Sequence, residues 1–258
     1  MLGPGSRGPA VADWQTFLVS QGFTGINGSA IVADGVFGKN TLSATNAFQA
    51  KVGAAKVGMV DKRTLAAAAE LGFESKAWLP ADLVADFYRA KNFSVTRPAK
   101  IDLVVIHTME APKSKGRAKQ VAQWFSGVNA PEASAHYCVD DEDVYQCVAD
   151  TDRAWHAPGV NGRSIGIEHA GYAAQSEAEW LDVYNENMLR VSAKLVAALA
   201  KAYGIPVAWV DDRGLSLGLA GITGHANVTR ALNGGKGHTD PGVNFPVQKY
   251  LALVRSRM

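Results

Sequence analysis

The chain has 258 residues, 47% of them hydrophobic and 19% charged, with 26 basic and 24 acidic side chains. That balance excludes a chain kept unfolded by its own charge and allows one large domain, or a small and a medium one. A net charge of +2 neither requires nor forbids a polyanion, and without a local basic patch no nucleic-acid partner is expected.

The opening MLGPGSRGPAVADW lacks the apolar core of a signal peptide, and no apolar stretch reaches the ~18 residues of a membrane span. Synthesis in a cytoplasm and no membrane insertion are therefore expected. Residues 1–74 form one unit. In VADWQTFLVSQGF, Val11, Trp14, Phe17 and Leu18 recur at helical spacing and Gly22 marks the stop. DGVFGKNTLSATNAFQAKVG predicts a second helix with Leu42, Ala47 and Phe48 on its apolar face. GMVDKRTLAAAAELG is a shorter echo of it, with Asp61 three residues before Thr64 as Gly38 is before Thr41. Asp61 is placed to cap a third helix. The result is a three-helix unit with a weak internal duplication.

Residues 75–100 read as a connector with one helix over PADLVADFYRAKN. From there strands and helices interleave, which predicts an α/β domain over 101–258, a mixed sheet flanked by helices. IDLVVIH, SIGIEHAG and GLAGITGH read as buried strands, and ASAHYCV and VYQCV as a hairpin about DDED. KQVAQWFSG reads as a helix. SEAEWLDVYNENMLRVSAKLVAALAKAYG reads as one long helix ended by Gly204, and FPVQKYLALVRSR as the last. Across the hairpin Cys138 and Cys147 are diagonal neighbours, expected to be free thiols packed as small apolar groups.

Of six histidines, His107, His156, His225 and His238 fall at strand ends or in glycine-rich loops. A histidine at a strand end is commonly a satisfied structural group. Two of them, His107 and His225, with Asp240 in the loop GGKGHTDPG, also suit a zinc site that keeps a fourth position open. Glu168 follows the apolar run SIGI. There a carboxylate is either paired in a salt bridge or, with its pKa raised by apolar surroundings, poised as a general base.

In order, VIHTME, SAHYCVDDEDVYQCV, DRAWHAPG, SIGIEHAG, GHANV and HTDPG resemble the type 2 N-acetylmuramoyl-L-alanine amidases, relatives of the peptidoglycan recognition proteins. The first 74 residues resemble the small three-helix peptidoglycan-binding domain. The resemblance implies one zinc ion per chain held by His107, His225 and Asp240, with Glu168 as general base. It implies that zinc polarises the amide carbonyl between N-acetylmuramic acid and L-alanine while Glu168 takes a proton from the attacking water. His238 falls where many members carry a lysine that steadies the oxyanion; a histidine brings a full charge there only when protonated. Where another branch has a tyrosine base this chain has Ala135, which leaves that role to Glu168. His156 and Asn161 match positions lining the substrate groove. TRALNGGKG reads as a looped insertion beside the cleft. The expected function is a monomeric, phage-type endolysin that acts on the wall once the membrane is breached. The alternatives are a recognition protein that binds without cutting, a bacterial wall-remodelling amidase, and a muropeptide-recycling amidase.

Overall fold

The computed structural model describes residues 2–6, 9–73, 83–95, 97 and 99–258. The chain divides into two compact units, Met1–Asp82 and Leu83–Met258.

The first unit is built from α1 (Pro9–Ser20), α2 (Lys39–Lys51) and α3 (Lys62–Glu70). Val11, Trp14, Phe17 and Leu18 are buried as their spacing predicts. The Trp14 ring meets Phe48 of α2 edge-on at 5.3 Å. On α2 the buried face is Thr41, Ala44, Thr45, Phe48 and Gln49, so Ala47, expected inside, points to solvent.

The polar residues on that face explain the duplication. Gln15 donates through Nε2 to Val36 O and Thr41 Oγ1, and its Oε1 accepts from Gly35 N. One helix later, Gln49 donates to Met59 O and Thr64 Oγ1 and accepts from Gly58 N. Each buried glutamine clamps the loop entering the next helix, making hydrogen bonds that burial would otherwise leave costly. Asp61 caps α3 by accepting from Thr64 N at 2.8 Å.

The second unit carries a six-stranded sheet. Its strands are β1 (Asp86–Phe87), β3 (Leu103–Thr108), β4 (Tyr137–Val139), β5 (Val144–Gln146), β7 (Ser164–His169) and β8 (Gly221–Gly224). They lie in the order β1-β5-β4-β7-β3-β8. The sheet is mixed, with β4 and β5 antiparallel and β4, β7, β3 and β8 mutually parallel. β2 (Phe93–Ser94) and β6 (Arg153–Ala154) form a separate antiparallel pair. The helices are α4 (Arg117–Ser126), α5 (Glu177–Trp180), α6 (Val183–Tyr203), α7 (Asp212–Ser216), α8 (His225–Leu232) and α9 (Val247–Arg255).

Strand alternation sends successive side chains to opposite faces. Cys138 packs with Ala118, Ala122 and Phe125 of α4. The next residue back, Tyr137, turns the other way, and its hydroxyl shares Asp150 with that of Tyr203 on α6. Helices therefore cover both faces. The two cysteines are free and buried, their sulfurs 3.7 Å apart.

Three further expectations change. The helix over residues 80–92 does not form in the described part, 83–92. There the backbone runs beside β5, with Ala85 N, Tyr88 N and Ala90 N donating to Val144 O, Gln146 O and Cys147 O. Covering a sheet edge outweighs local helix propensity. The long helix is two: Ser176 and Glu179 form a capping box on α5, and Asp182 accepts from Asn185 N to start α6 afresh. Third, the TRAL of the expected loop is helical, the end of α8.

Removing the Asp61 cap by Asp61→Ala should cost about 1 kcal/mol. Gln49→Leu, which takes the acceptor from Gly58 N inside the unit and also removes the donations to Met59 O and Thr64 Oγ1, should cost more. Urea unfolding followed by NMR signals of the first unit ranks the two, and the reverse order would deny the glutamine its clamping role.

Candidate metal and catalytic site

The site lies at the carboxyl ends of three adjacent parallel strands, where open α/β sheets commonly bind ligands. β3 stands in the middle. Its His107 pairs with Glu168 of β7 in register, so both side chains leave the sheet on one face. On the other side Ile106 pairs with Gly224, and His225 follows at once as the first residue of α8. Register alone thus lines up Glu168, His107 and His225.

Asp240 comes from the loop before α9. Its carbonyl accepts from Ala226 N at 2.7 Å, one of the free amides opening α8. The ring of Pro241, joined to Asp240 by a cis peptide bond, lies against Gly224. A Cβ on Gly224 would come within 2.6 Å of Pro241 Cδ, so only glycine admits the loop this close.

The carboxylate sits between two imidazoles. His107 Nδ1 is 2.9 Å from Asp240 Oδ2, and His225 Nδ1 is 3.3 Å from Oδ1. One ligand atom from each of the three residues lies within 4.8 Å of the others, and all three residues are buried. Burial alone would raise the pKa of Asp240, but its hydrogen bonds with His107 and His225 hold it well below the ordinary carboxylate range. Burial lowers the pKa of His107, against the pull of Asp240. Two imidazole nitrogens and a carboxylate turned on one point are a donor set that could hold a metal ion. The enclosed Nε2 of His225 meets no hydrogen-bond partner among the described residues.

Glu168 lies across β3 from His225. The residue is half-buried, but its Oε2 is enclosed and has no partner among the described residues. Burial, and then the charges of Asp240 and Glu110, push its pKa well above the usual glutamate value. A carboxyl group so placed binds a proton readily, as a general base must. Glu110 holds a positive φ of 49°, and its Oε1 accepts from Thr108 Oγ1 and Ala173 N. The sequence pattern missed it; a polar residue just past a strand end was the available signal.

His238 stacks on His225 with ring centroids 3.9 Å apart, its Nδ1 3.6 Å from Asp240 Oδ1. Its side chain is 65% exposed, at the rim rather than the floor. His156 is buried, with Nδ1 3.0 Å from His107 Nε2. The Asn161 carbonyl oxygen accepts from His156 N and Ala157 N. His107, His156, Asn161, Glu168, His225, His238 and Asp240 all border one cleft of about 360 Å³, with Glu110, Phe125, Glu132 and Trp155 among its other walls.

The N-acetylmuramoyl-L-alanine amidase family profile matches residues 97–243, and that of a peptidoglycan binding domain matches residues 7–68. N-acetylmuramoyl-L-alanine amidase A of Achromobacter lyticus is 30% identical over 190 residues, spanning 70% of this chain and 94% of its own. A solved AmpD derivative superposes with a TM-score of 0.50 at 22% identity, over 70% of this chain and 98% of that one. A mutant endolysin from Bacillus subtilis gives a TM-score of 0.46 at 18% identity, over 66% of this chain and 99% of its own.

The raised pKa of Glu168 sets the sign of a stability change. Between the ordinary glutamate pKa and the raised one, the folded state binds more protons than the unfolded state, so stability falls as pH rises. Glu168→Gln does not titrate. In chelator-treated protein its Tm advantage over wild type should grow as pH rises from about 4 towards 8. A difference that stays flat across that range would refute the raised pKa.

Proposed function

We propose, from the premise that this chain belongs to the N-acetylmuramoyl-L-alanine amidase family, that it is a zinc-dependent hydrolase of the polymeric bacterial wall. Two folded units support the reading, one matched by a peptidoglycan-binding family and one by the amidase family. The observation that carries it is the buried His107–His225–Asp240 cluster beside Glu168 Oε2, an enclosed carboxyl oxygen with no hydrogen-bond partner among the described residues.

Those three residues would hold a single ion. When bound, zinc supplies Lewis acidity at the carbonyl of the amide joining N-acetylmuramic acid to L-alanine. The remaining work falls to the chain. Glu168 Oε2, without a hydrogen-bond partner among the described residues, accepts the proton of the attacking water and passes it to the departing alanine amine. His238, at the rim and stacked on His225, offers an N–H to the developing oxyanion. The cleft walls, Trp155 and Asn161 among them, border the glycan and the stem peptide.

We assign the protein the role of an endolysin rather than a recycling enzyme. A wall-binding unit on the same chain keeps an amidase at an insoluble substrate, raising its local concentration there. A recycling amidase working on soluble fragments gains nothing from it.

Purified peptidoglycan incubated with the full chain should yield new N-terminal alanine, and a chelator should stop the release. Glu168→Ala should lower kcat by about 100-fold or more while zinc content stays at one per chain. Loss of zinc from that variant would make Glu168 a ligand instead. His238→Ala should cost about 10- to 1000-fold in kcat, and His238→Lys should restore most of it. Faster turnover of soluble muropeptides than of intact walls would favour the recycling role.

A further inference from the structure

Of the three residues turned on one point, Asp240 alone comes from a loop, and that loop is gripped from two sides. On one side Pro241 lies against Gly224. On the other, the backbone of Gly242 lies on Ala173, in the stretch that follows β7. A Cβ on Gly242 would stand 1.9 Å from Ala173 O, and this glycine holds a φ of 93°, so neither the space nor the conformation admits another residue. Asn244 Nδ2 then donates to Gln175 O at 2.9 Å, tying the two stretches a second time.

Ala173 is itself held by a side chain from beyond the end of β3. Glu110 Oε1 accepts from Ala173 N at 2.8 Å and from Thr108 Oγ1 at 2.6 Å. Glu110 stands three residues after His107, with a φ of 49°. Glutamate has no local preference for that left-handed region, and such a conformation persists where surrounding contacts over-determine it. Here backbone bonds fix both flanks: Met109 N donates to His169 O at 2.8 Å, and Ala111 N donates to Gly171 O at 3.3 Å. One carboxylate oxygen thus joins the strand that carries His107 to the stretch on which the Asp240 loop rests. Glu110 also borders the cleft, so its charge is the competing explanation for any role it has.

We propose that Glu110 is a positioning residue: by holding Ala173 it fixes the support under Gly242, and so sets the Asp240 carboxylate against His107 and His225. Its working property is the pair of hydrogen bonds it accepts. The consequence for metal affinity rests on the zinc reading above, whereas the placement of the loop is read in metal-free protein. The Ala226 amide, which donates to Asp240 O at 2.7 Å, is the reporter. It belongs to α8 and shares no hydrogen bond with Glu110, and it exchanges with solvent when the loop opens.

Three full-chain variants separate these roles. Glu110→Gln keeps an acceptor oxygen and loses the charge. Glu110→Ala removes the acceptor and leaves a Cβ in the left-handed region. Glu110→Gly removes the acceptor and relieves the backbone. Zinc affinity is measured by competition with a chromophoric chelator, and exchange of the Ala226 amide by NMR of metal-free protein. The Ala and Gly variants should each bind zinc about 10- to 100-fold more weakly. Both should exchange the Ala226 amide about 10-fold faster, and Glu110→Gln should stay close to wild type in both measurements. Wild-type behaviour in a folded Glu110→Ala protein would overturn the proposal, as would weaker zinc binding with unchanged Ala226 exchange. A Gln variant as impaired as the Ala variant would overturn it too, since charge would then be the working property. So would recovery in Glu110→Gly, which would put the loss down to backbone strain. Should Glu110→Ala not fold, Glu110→Gly carries both measurements in its place. A wild-type chain that binds no zinc fails the metal reading itself, and Ala226 exchange then still decides whether Glu110 places the loop.

Discussion

The second unit is organised around one buried carboxylate. Asp240 has almost no access to water, and an ionised carboxylate in that position is tolerated only when paired or bound to a metal. Here the partners are the imidazoles of His107 and His225. Much of the local backbone serves that contact: the first turn of α8 holds the Asp240 carbonyl, and Gly224 leaves space for Pro241. Sheet register does the rest, since β3 and its two parallel neighbours deliver His107, Glu168 and His225 to a single rim.

Around this point burial favours the neutral form of His107, His136 and His156, while Asp240 is held ionised. Burial lowers the pKa of His136 and His156 well below the ordinary histidine value, with Arg97 adding to the shift at His136 and neighbouring imidazoles at His156. Arg97 itself reaches in from the segment before β3 and donates to the carbonyls of Asp150, Asp152 and Ser164. One guanidinium thus ties its own segment to the stretch 150–152 and to the start of β7, and places a fixed positive charge beside His136. A neutral imidazole keeps a lone pair, which is the property a metal ligand needs. Glu168 is shifted the opposite way, towards holding a proton, so ligands and base stand side by side with contrasting affinities.

The sequence announced what depends on local pattern. Helical spacing in residues 11–18, the Asp61 cap, the hairpin about DDED and the buried strands ending near His107, Glu168 and His225 all rest on interactions within a few residues, and they reappear in the structure. The motifs from VIHTME to HTDPG named the family, which the comparisons then showed. What stayed hidden depends on partners distant in the chain. The segment 85–90 is extended because β5, more than fifty residues later, offers it an edge. Ala47 faces solvent because Gln49 and Thr45 are needed inside, and polar core residues defeat a reading based on apolar spacing. The break at Asp182 was legible in retrospect, since two capping signals lie within one apparent helix. Ser164 gave no signal at all: a serine opening an apolar strand looks like an edge residue until His156 is placed beside it.

The paired glutamine clamps bear on how the first unit can change over time. α2 belongs to both halves of the duplication, receiving the clamp of Gln15 at Thr41 and sending out its own from Gln49. Those two positions stand eight residues apart on one helix. A single residue inserted between them would rotate one clamp by roughly 100° about the helix axis relative to the other. Length variation among related sequences should therefore gather in the loop after α1, around residues 24–33, and be almost absent between Thr41 and Gln49. This gives α2 the character of a fixed ruler in an otherwise adjustable unit.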